Sequence, residues 1–263
     1  MDLGLKNKIA VVCGSSRGMG AAIATLLASE GVHLALVSRN AANLQNFCTK
    51  LRKTYKIKAL PFSFDLSKTA AIPQLAAKIL KEFKTVHILV NNAGGPPAGT
   101  FEEVSEDQWE CAIEQNLKSV ISMTKALVPG MKKQKYGRII NIASQLVKEP
   151  SPVMVLSNTV RSGVVAFAKT ISHELAAHNI TVNTLCPGAI YTERIESLLH
   201  DKAKREKKSF SAVLKESRAS VPMKRFGEPE EFANMAVFLA SEKASFITGT
   251  TLAIDGGLTK SLL

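Results

Sequence analysis

Four cysteines occur in the chain, and none of them forms a Cys-x-x-Cys pair: Cys13, Cys48, Cys111 and Cys186 are scattered. That spacing argues against a disulfide framework and a cysteine zinc site. Each lies in or beside an apolar segment, so buried free thiols are expected. The five histidines show no ligand spacing, and no metal is expected. No apolar run approaches the ~18 residues that cross a bilayer. Residues Met1 to Lys8 lack the apolar stretch and cleavage site of a secretory signal. A cytoplasmic protein with no membrane partner is expected. No Pro/Gly/Ser-rich linker and no internal repeat divides the 263 residues, which suit one domain spanning 1–263. Tyrosine is scarce too: only Tyr55, Tyr136 and Tyr191 are present.

Positive charge is what the chain has in excess, with a formal net charge of +12. The Lys and Arg residues are dispersed except for a dense stretch from Lys202 to Arg225. That stretch has no interleaved stacking aromatics and no nucleic-acid motif, so nucleic acid is not expected. It reads as a solvated basic face or as a dock for an acidic protein partner. Hydrophobic residues at 46% and charged residues at 21% allow an ordinary core.

Short β-branched runs alternate with longer helical patterns. The strand-like runs are 9–13, 32–37, 58–64, 86–90, 138–142, 181–185 and 251–254; helix patterns lie near 19–30, 41–54, 68–83, 105–134, 155–178 and 228–240. This alternation predicts a doubly wound α/β fold, a seven-stranded parallel sheet with helices on both faces. Strands apolar throughout, such as Ile88-Leu89-Val90, are expected when both faces are covered. One irregular insertion, 190–226, follows the sixth strand. An excursion of that length at the carboxyl end of a parallel sheet is expected to be a lid or substrate loop.

Chemistry concentrates first at Gly14-Ser15-Ser16-Arg17-Gly18-Met19-Gly20, which closes the first strand and opens the first helix. A helix N-terminus exposes unpaired N–H groups and the positive end of its dipole, and glycines let a pyrophosphate approach. The second strand ends at Ser38-Arg39, where an NAD site often has an acid for the ribose and an NADP site a cation for the 2′-phosphate. Arg39 stands there with no adjacent acid, and Arg17 adds a cation in the turn. NADP(H) is therefore the expected cofactor.

These residues resemble the short-chain dehydrogenase/reductase family, a single-domain Rossmann fold, over essentially the whole chain. The Gly14-x-x-x-Gly18-x-Gly20 spacing is the family's turn, with Ser16, Met19 and Ser38 beside it. The resemblance implies further roles. Asp65 and Leu66 would contact the adenine, and Asn91-Asn92-Ala93-Gly94 would line the cofactor cleft. Asn116 would hold a water of the proton relay, and Ser144 would orient substrate. Pro187-Gly188 with Ile190 and Thr192 would embrace the nicotinamide carboxamide, and Asp255-Gly256-Gly257 matches the C-terminal signature.

The resemblance breaks at one pair. Thirteen residues beyond Ser144 the family has its catalytic tyrosine, with a lysine four further on; this chain has Ser157 and Arg161. Four-residue spacing puts both on one helical face. The tyrosine, its pKa of ~10 lowered by the ammonium, protonates the alkoxide that hydride transfer leaves. Serine is a far weaker acid, and arginine keeps its proton. Tyr191 precedes Thr192 but is expected to point away, and Tyr55 and Tyr136 belong to helix ends on the opposite side of the sheet. A subgroup similar to 3-oxoacyl-acyl-carrier-protein reductases carries this replacement, together with the run Asn91–Pro97 and Val147-Lys148-Glu149-Pro150.

Three expectations follow. The first is an NADPH-dependent oxidoreductase reducing a small-molecule or carrier-bound carbonyl compound, with Asn116, Ser144, Ser157 and Arg161 as its catalytic set and Arg161 also on the ribose. The basic stretch would dock an acidic acyl carrier protein. The second is a catalytically silent NADP(H)-binding sensor or partner subunit. The third is a different reaction in the same cleft, such as dehydration or epimerisation. Family resemblance further implies a homotetramer, paired through the helices matching 105–134 and 155–178 and the last strand.

Overall fold

Residues 10–13, all apolar, cannot face water on either side, and the computed structural model, which describes residues 1–262, buries them completely. Strand β1 (Ile9–Cys13) lies between β2 (His33–Ser38) and β4 (Ile88–Asn91), with Val12 level with both Leu36 and Val90. The remaining strands are β3 (Ala59–Ser63), β5 (Gly137–Ile142), β6 (Ile180–Pro187) and β7 (Thr251–Ile254). All seven are parallel, in the order β3-β2-β1-β4-β5-β6-β7. The fold is thus the expected doubly wound sheet. Its order reverses between β1 and β4, where parallel sheets open a crevice at their carboxyl ends.

Period-two alternation sorts the strand residues to two cores. Ala10, Val12, Leu34, Leu36, Ile88 and Val90 pack under α1 (Gly18–Ser29), α2 (Ala41–Tyr55) and α9 (Pro229–Ala240). Val11, Cys13, Ala35, Val37 and Leu89 pack on the other face under α3 (Ile72–Phe83), α5 (Ser119–Lys133) and α6 (Val155–Ala176). Local signals place the helix ends. Asn40 caps α2 by accepting the Asn43 N–H at 2.9 Å, Ser105 and Gln108 form a capping box on α4 (Glu106–Ile113), and Pro229 opens α9.

Two expectations are corrected. The single helix near 105–134 is two helices, α4 and α5, joined by a π-helical turn over Glu114–Lys118. Such turns insert one residue and re-aim a side chain, a local event that hydrophobic periodicity does not register. Cys111, expected buried, is exposed, because Ala112 rather than Cys111 is the buried position of α4; the other three thiols are buried. The segment 190–226 contains α7 (Glu193–Glu206) and α8 (Phe210–Ser220), which share a small core of Leu199, Ala203, Val213, Val221 and Phe226. No helix among the described residues is long and apolar enough to cross a membrane.

Candidate active site

A cleft of about 860 Å³ opens at the carboxyl end of the sheet. The turn after β1 forms its floor. Gly14 has φ +59°, and a Cβ there would stand 2.6 Å from the Asn92 carbonyl oxygen; a Cβ on Gly20 would stand 2.2 Å from the Gly14 oxygen. No side chain longer than glycine's fits either place. Asn92 Nδ2 donates to Gly14 O at 3.2 Å, tying the turn to the loop after β4. Ser15, fully buried, donates both its N–H and its Oγ–H to Val37 O at 3.3 Å, and Ser38 Oγ donates to Ser16 Oγ at 2.8 Å. Helix α1 starts here with no side-chain cap and no acidic residue in its first turn, which leaves its N–H groups to a ligand. The Cys13 thiol beneath the turn is pushed up to about 12 by burial and is chemically inert.

At the end of β2, Arg39 is exposed and lines the cleft, and its guanidinium makes no hydrogen bond or ion pair among the described residues. Ser63 Oγ holds its backbone by donating to Arg39 O at 3.1 Å. Asp65 and Leu66 flank it. Burial would raise the Asp65 carboxyl, but hydrogen bonds from the Ser67 N–H at 3.1 Å and Oγ at 2.9 Å, with the charges of Arg39 and Lys68, hold it below its ordinary value. Arg17 lines the cleft as well. Its guanidinium is turned to Glu193 at the start of α7, so an ion pair joins the glycine turn to α7.

The other end of the cleft is built by β4, β5 and α6. Asn91 Nδ2 bonds Asn141 Oδ1 at 2.9 Å and Thr124 Oγ1 at 3.2 Å, locking β4 to β5 and α5. Ala93 and Gly94 line the cleft beyond it. Ser144 Oγ accepts the Leu146 N–H at 3.2 Å, which leaves its own hydrogen free. Ser157, buried on α6 and lining the cleft, makes no side-chain hydrogen bond among the described residues. Asn116 sits in the π-helical turn, buried, with neither Oδ1 nor Nδ2 partnered. It does not line the cleft; its neighbour Gln115 does, donating to Gly94 O at 3.0 Å.

Arg161 is buried one helical turn beyond Ser157. Its Nη1 donates to Ile142 O at 2.7 Å and Ala143 O at 3.0 Å, and Nη2 reaches Ala93 O at 3.4 Å. It thus ties the loop after β4 to the end of β5 while lining the cleft. Burial, then the charge of Arg194, pushes its pKa down to about 10 against a smaller opposing effect of Cys186, and it stays cationic at neutral pH.

The end of β6 and the start of the 190–226 segment border this end. Pro187, Gly188 and Ile190 line the cleft, and Thr192 both lines it and caps α7 by accepting the Ile195 N–H at 3.4 Å. Tyr191 turns away and stacks on Phe226, with centroids 5.8 Å apart. Tyr136 is stacked between Lys8 and Arg138 at the other end of the sheet, and no tyrosine lines the cleft. Gly18, Ser16, Met19 and Ser38 complete the expected lining, while Gly20 serves packing alone. Sequence reasoning missed Ser15, Gly95, Gln115 and Arg194. Arg194 crosses from α7 to donate to Pro96 O, a contact between segments 98 positions apart that no local pattern announces. The basic stretch is also less bare than its composition: Glu206 and Glu216 pair with Lys208, Glu206 with Lys202, and Glu231 with Arg225.

Comparison with known proteins agrees with this architecture. A family model described as Enoyl-(Acyl carrier protein) reductase matches residues 14–259. The chain is 34% identical to 3-oxoacyl-[acyl-carrier-protein] reductase FabG of Vibrio cholerae, over 97% of this chain and 99% of that protein. It is also 34% identical to NADPH-dependent reductase BacG of Bacillus subtilis, over 98% and 100%. Among solved structures, L-sorbose reductase from Gluconobacter frateurii, complexed with NADPH and L-sorbose, superposes with a TM-score of 0.94 at 32% identity, over the whole of both chains.

Proposed function

The chain belongs to the short-chain dehydrogenase/reductase family, and on that footing we propose that it is an NADPH-dependent oxidoreductase that reduces a carbonyl compound. One observation carries the reading. The uncapped glycine turn and the unpartnered Arg39 open into the same cleft as the free hydroxyls of Ser144 and Ser157. The residues fit the cofactor: a collapsed glycine cradle for a pyrophosphate, Arg39 for a 2′-phosphate, Asp65 and Leu66 beside an adenine, and Pro187, Gly188, Ile190 and Thr192 around a nicotinamide. When bound, NADPH supplies the hydride.

The chain's own groups then handle charge and protons. The free Ser144 hydrogen donates to the carbonyl oxygen and stabilises the charge that develops there. Ser157 extends that contact, and the Arg161 cation lowers the energy of a nearby oxyanion while its clamp keeps the β4 and β5 ends in register. Asn116 supports the proton path: a buried amide with no protein partner suits an ordered water. The Ser157/Arg161 pair replaces the tyrosine and lysine that the resemblance implies, so general acid help worth about 10²–10⁴ in rate is forgone. The substrate is a small or carrier-bound carbonyl compound. For a carrier, Lys215, Arg218 and Lys224 edge a shallow groove on α8 suited to acidic groups. Exposed Phe246, and exposed Leu252 on the edge strand β7, mark the side on which a tetramer would close.

A second reading, a silent NADP(H)-binding subunit, is favoured by the absence of any tyrosine from the cleft. Following NADPH absorbance over a panel of β-ketoacyl thioesters, ketones and aldehydes separates the two, run beside a Ser157→Tyr/Arg161→Lys double variant. Turnover by the native chain supports the reductase. Tight NADPH binding without turnover, converted to turnover by the double variant, establishes the silent subunit.

A further inference from the structure

Two arginines meet over Gly95. The point where a β-carbon on Gly95 would stand lies 3.4 Å from Arg194 Nε, 3.5 Å from Arg194 Nη2 and 3.7 Å from Arg161 Nη2. All three residues line the cleft, at the end that holds Ser144 and Ser157. Neither guanidinium makes an ion pair or hydrogen bond with a carboxylate among the described residues, and the charge of Asp201 acts on Arg194 without bonding to it. Arg161 bonds only main-chain oxygens, and Arg194 only Pro96 O. The two acids of the cleft wall are occupied elsewhere, Asp65 with Ser67 and Glu193 with Arg17. Three of the five Arg161 donors are used and one side of the Arg194 fork is used, so donors of both remain free beside glycine's missing side chain. Two partly or fully buried cations side by side, with Asp201 alone among the acids acting on Arg194 and none bonded to either, are stabilised by an anion that joins them.

We propose that the substrate of this cleft carries a carboxylate, which docks over Gly95 between Arg194 and Arg161. The proposal rests on the reductase reading and narrows it to an oxo acid rather than a neutral thioester or sugar. Arginine's planar fork matches a carboxylate with two parallel charge-assisted bonds. Repulsion from Arg194 is among the causes that hold the Arg161 pKa down, and an anion between the two would relieve it. Glycine at position 95 fits the arrangement, since a methyl there would fill the docking space without touching anything closer than 3.4 Å.

The test uses 2-oxohexanoate and 3-oxohexanoate, each against its methyl ester, with the native chain and with Arg194→Met, Arg194→Lys and Gly95→Ala. Calorimetry on NADP⁺-saturated protein is expected to show at least one acid binding about 10–100-fold more tightly than its ester. Arg194→Met and Gly95→Ala should erase that preference, and Arg194→Lys should restore part of it. NADPH affinity, read by fluorescence, should stay within about threefold in all variants. A weakened NADPH affinity in Arg194→Met would assign the pair to cofactor phosphates and overturn the proposal, as would equal binding of acid and ester by the native chain. NADPH consumption is the separate readout of the reductase reading. A binding preference for the acid without consumption refutes that reading and upholds the anion subsite; consumption of esters and acids alike does the reverse.

Discussion

Replacing Arg39 with aspartate isolates one charge at the adenosine end of the cleft. Arg39 is exposed and its side chain bonds nothing among the described residues, so the variant should fold with stability changed by no more than about 0.5 kcal/mol. On the ligand side two effects add. Loss of a charge-assisted contact to a phosphate costs about 1.5–3 kcal/mol. A carboxylate placed about 5 Å from that phosphate adds about 1–3 kcal/mol of repulsion at effective dielectric constants between roughly 20 and 80. NADH, without the 2′-phosphate, escapes both and gains an acceptor for its ribose hydroxyls. The NADPH:NADH affinity ratio should therefore fall by at least about a hundredfold, and more at low ionic strength, where screening is weak. Cofactor fluorescence titrations at about 20 mM and about 300 mM salt, where the Debye length is roughly 20 Å and 6 Å, read it directly. A ratio that moves less than about threefold would show that Arg39 is an ordinary surface arginine and that the choice of NADPH rests elsewhere.

Three further outcomes follow from the geometry. Gly20→Ala places a carbon 2.2 Å from Gly14 O, so it should cost about 1–3 kcal/mol in urea unfolding and weaken NADPH at least tenfold, by about 1.4 kcal/mol or more; unchanged affinity would contradict the cradle. The Arg17–Glu193 pair is well exposed on both sides, so Glu193→Ala should lower the melting temperature by less than about 4 °C. Faster amide exchange in α7 is expected in the same variant, and identical exchange would deny the pair any part in holding α7. His87, half-buried, accepts the Ile9 N–H on Nδ1 at 3.0 Å, and burial, then Lys8, holds its pKa below the ordinary value. Its folded pKa lies below its unfolded one, so the unfolded chain takes up the proton first. Stability is full above the unfolded value near 6.5 and declines as pH falls through it toward the folded value. Urea midpoints should drop between pH 7.5 and 5.5, and His87→Asn, which keeps an acceptor, should flatten that slope; parallel slopes would refute the assignment.

The strands were legible because each is a short apolar run covered on both faces, and the glycine turn because collapse onto Asn92 and the Gly14 carbonyl tolerates nothing larger. Arg39 was legible because its place at the end of β2 follows from strand length alone. What escaped was set by distance in sequence. The Arg194 contact with Pro96, the pairing of Arg17 with Glu193 and the double bond of Ser15 to Val37 O all join segments at least 22 positions apart. The π-helical turn escaped for the opposite reason. It is a one-residue event inside a helix whose apolar pattern runs on, yet it buries Asn116 where its amide has no protein partner. Cys111 shows the limit of neighbour-based reasoning, since apolar sequence neighbours on a helix face a different direction.

Arg161 joins these threads. Lysine at this position would present one ammonium with three donors and no fork. It could not reproduce the span from Ile142 O and Ala143 O to Ala93 O that the guanidinium covers. The arginine therefore ties the loop after β4 to the end of β5, and it brings a fixed cation to the end of the cleft away from Asp65. Ser157, one turn before it on α6, lines the same cleft with a small side chain. A tyrosine–lysine pair places a transferable proton in the cleft; Ser157 and Arg161 place a permanent charge and room beside it.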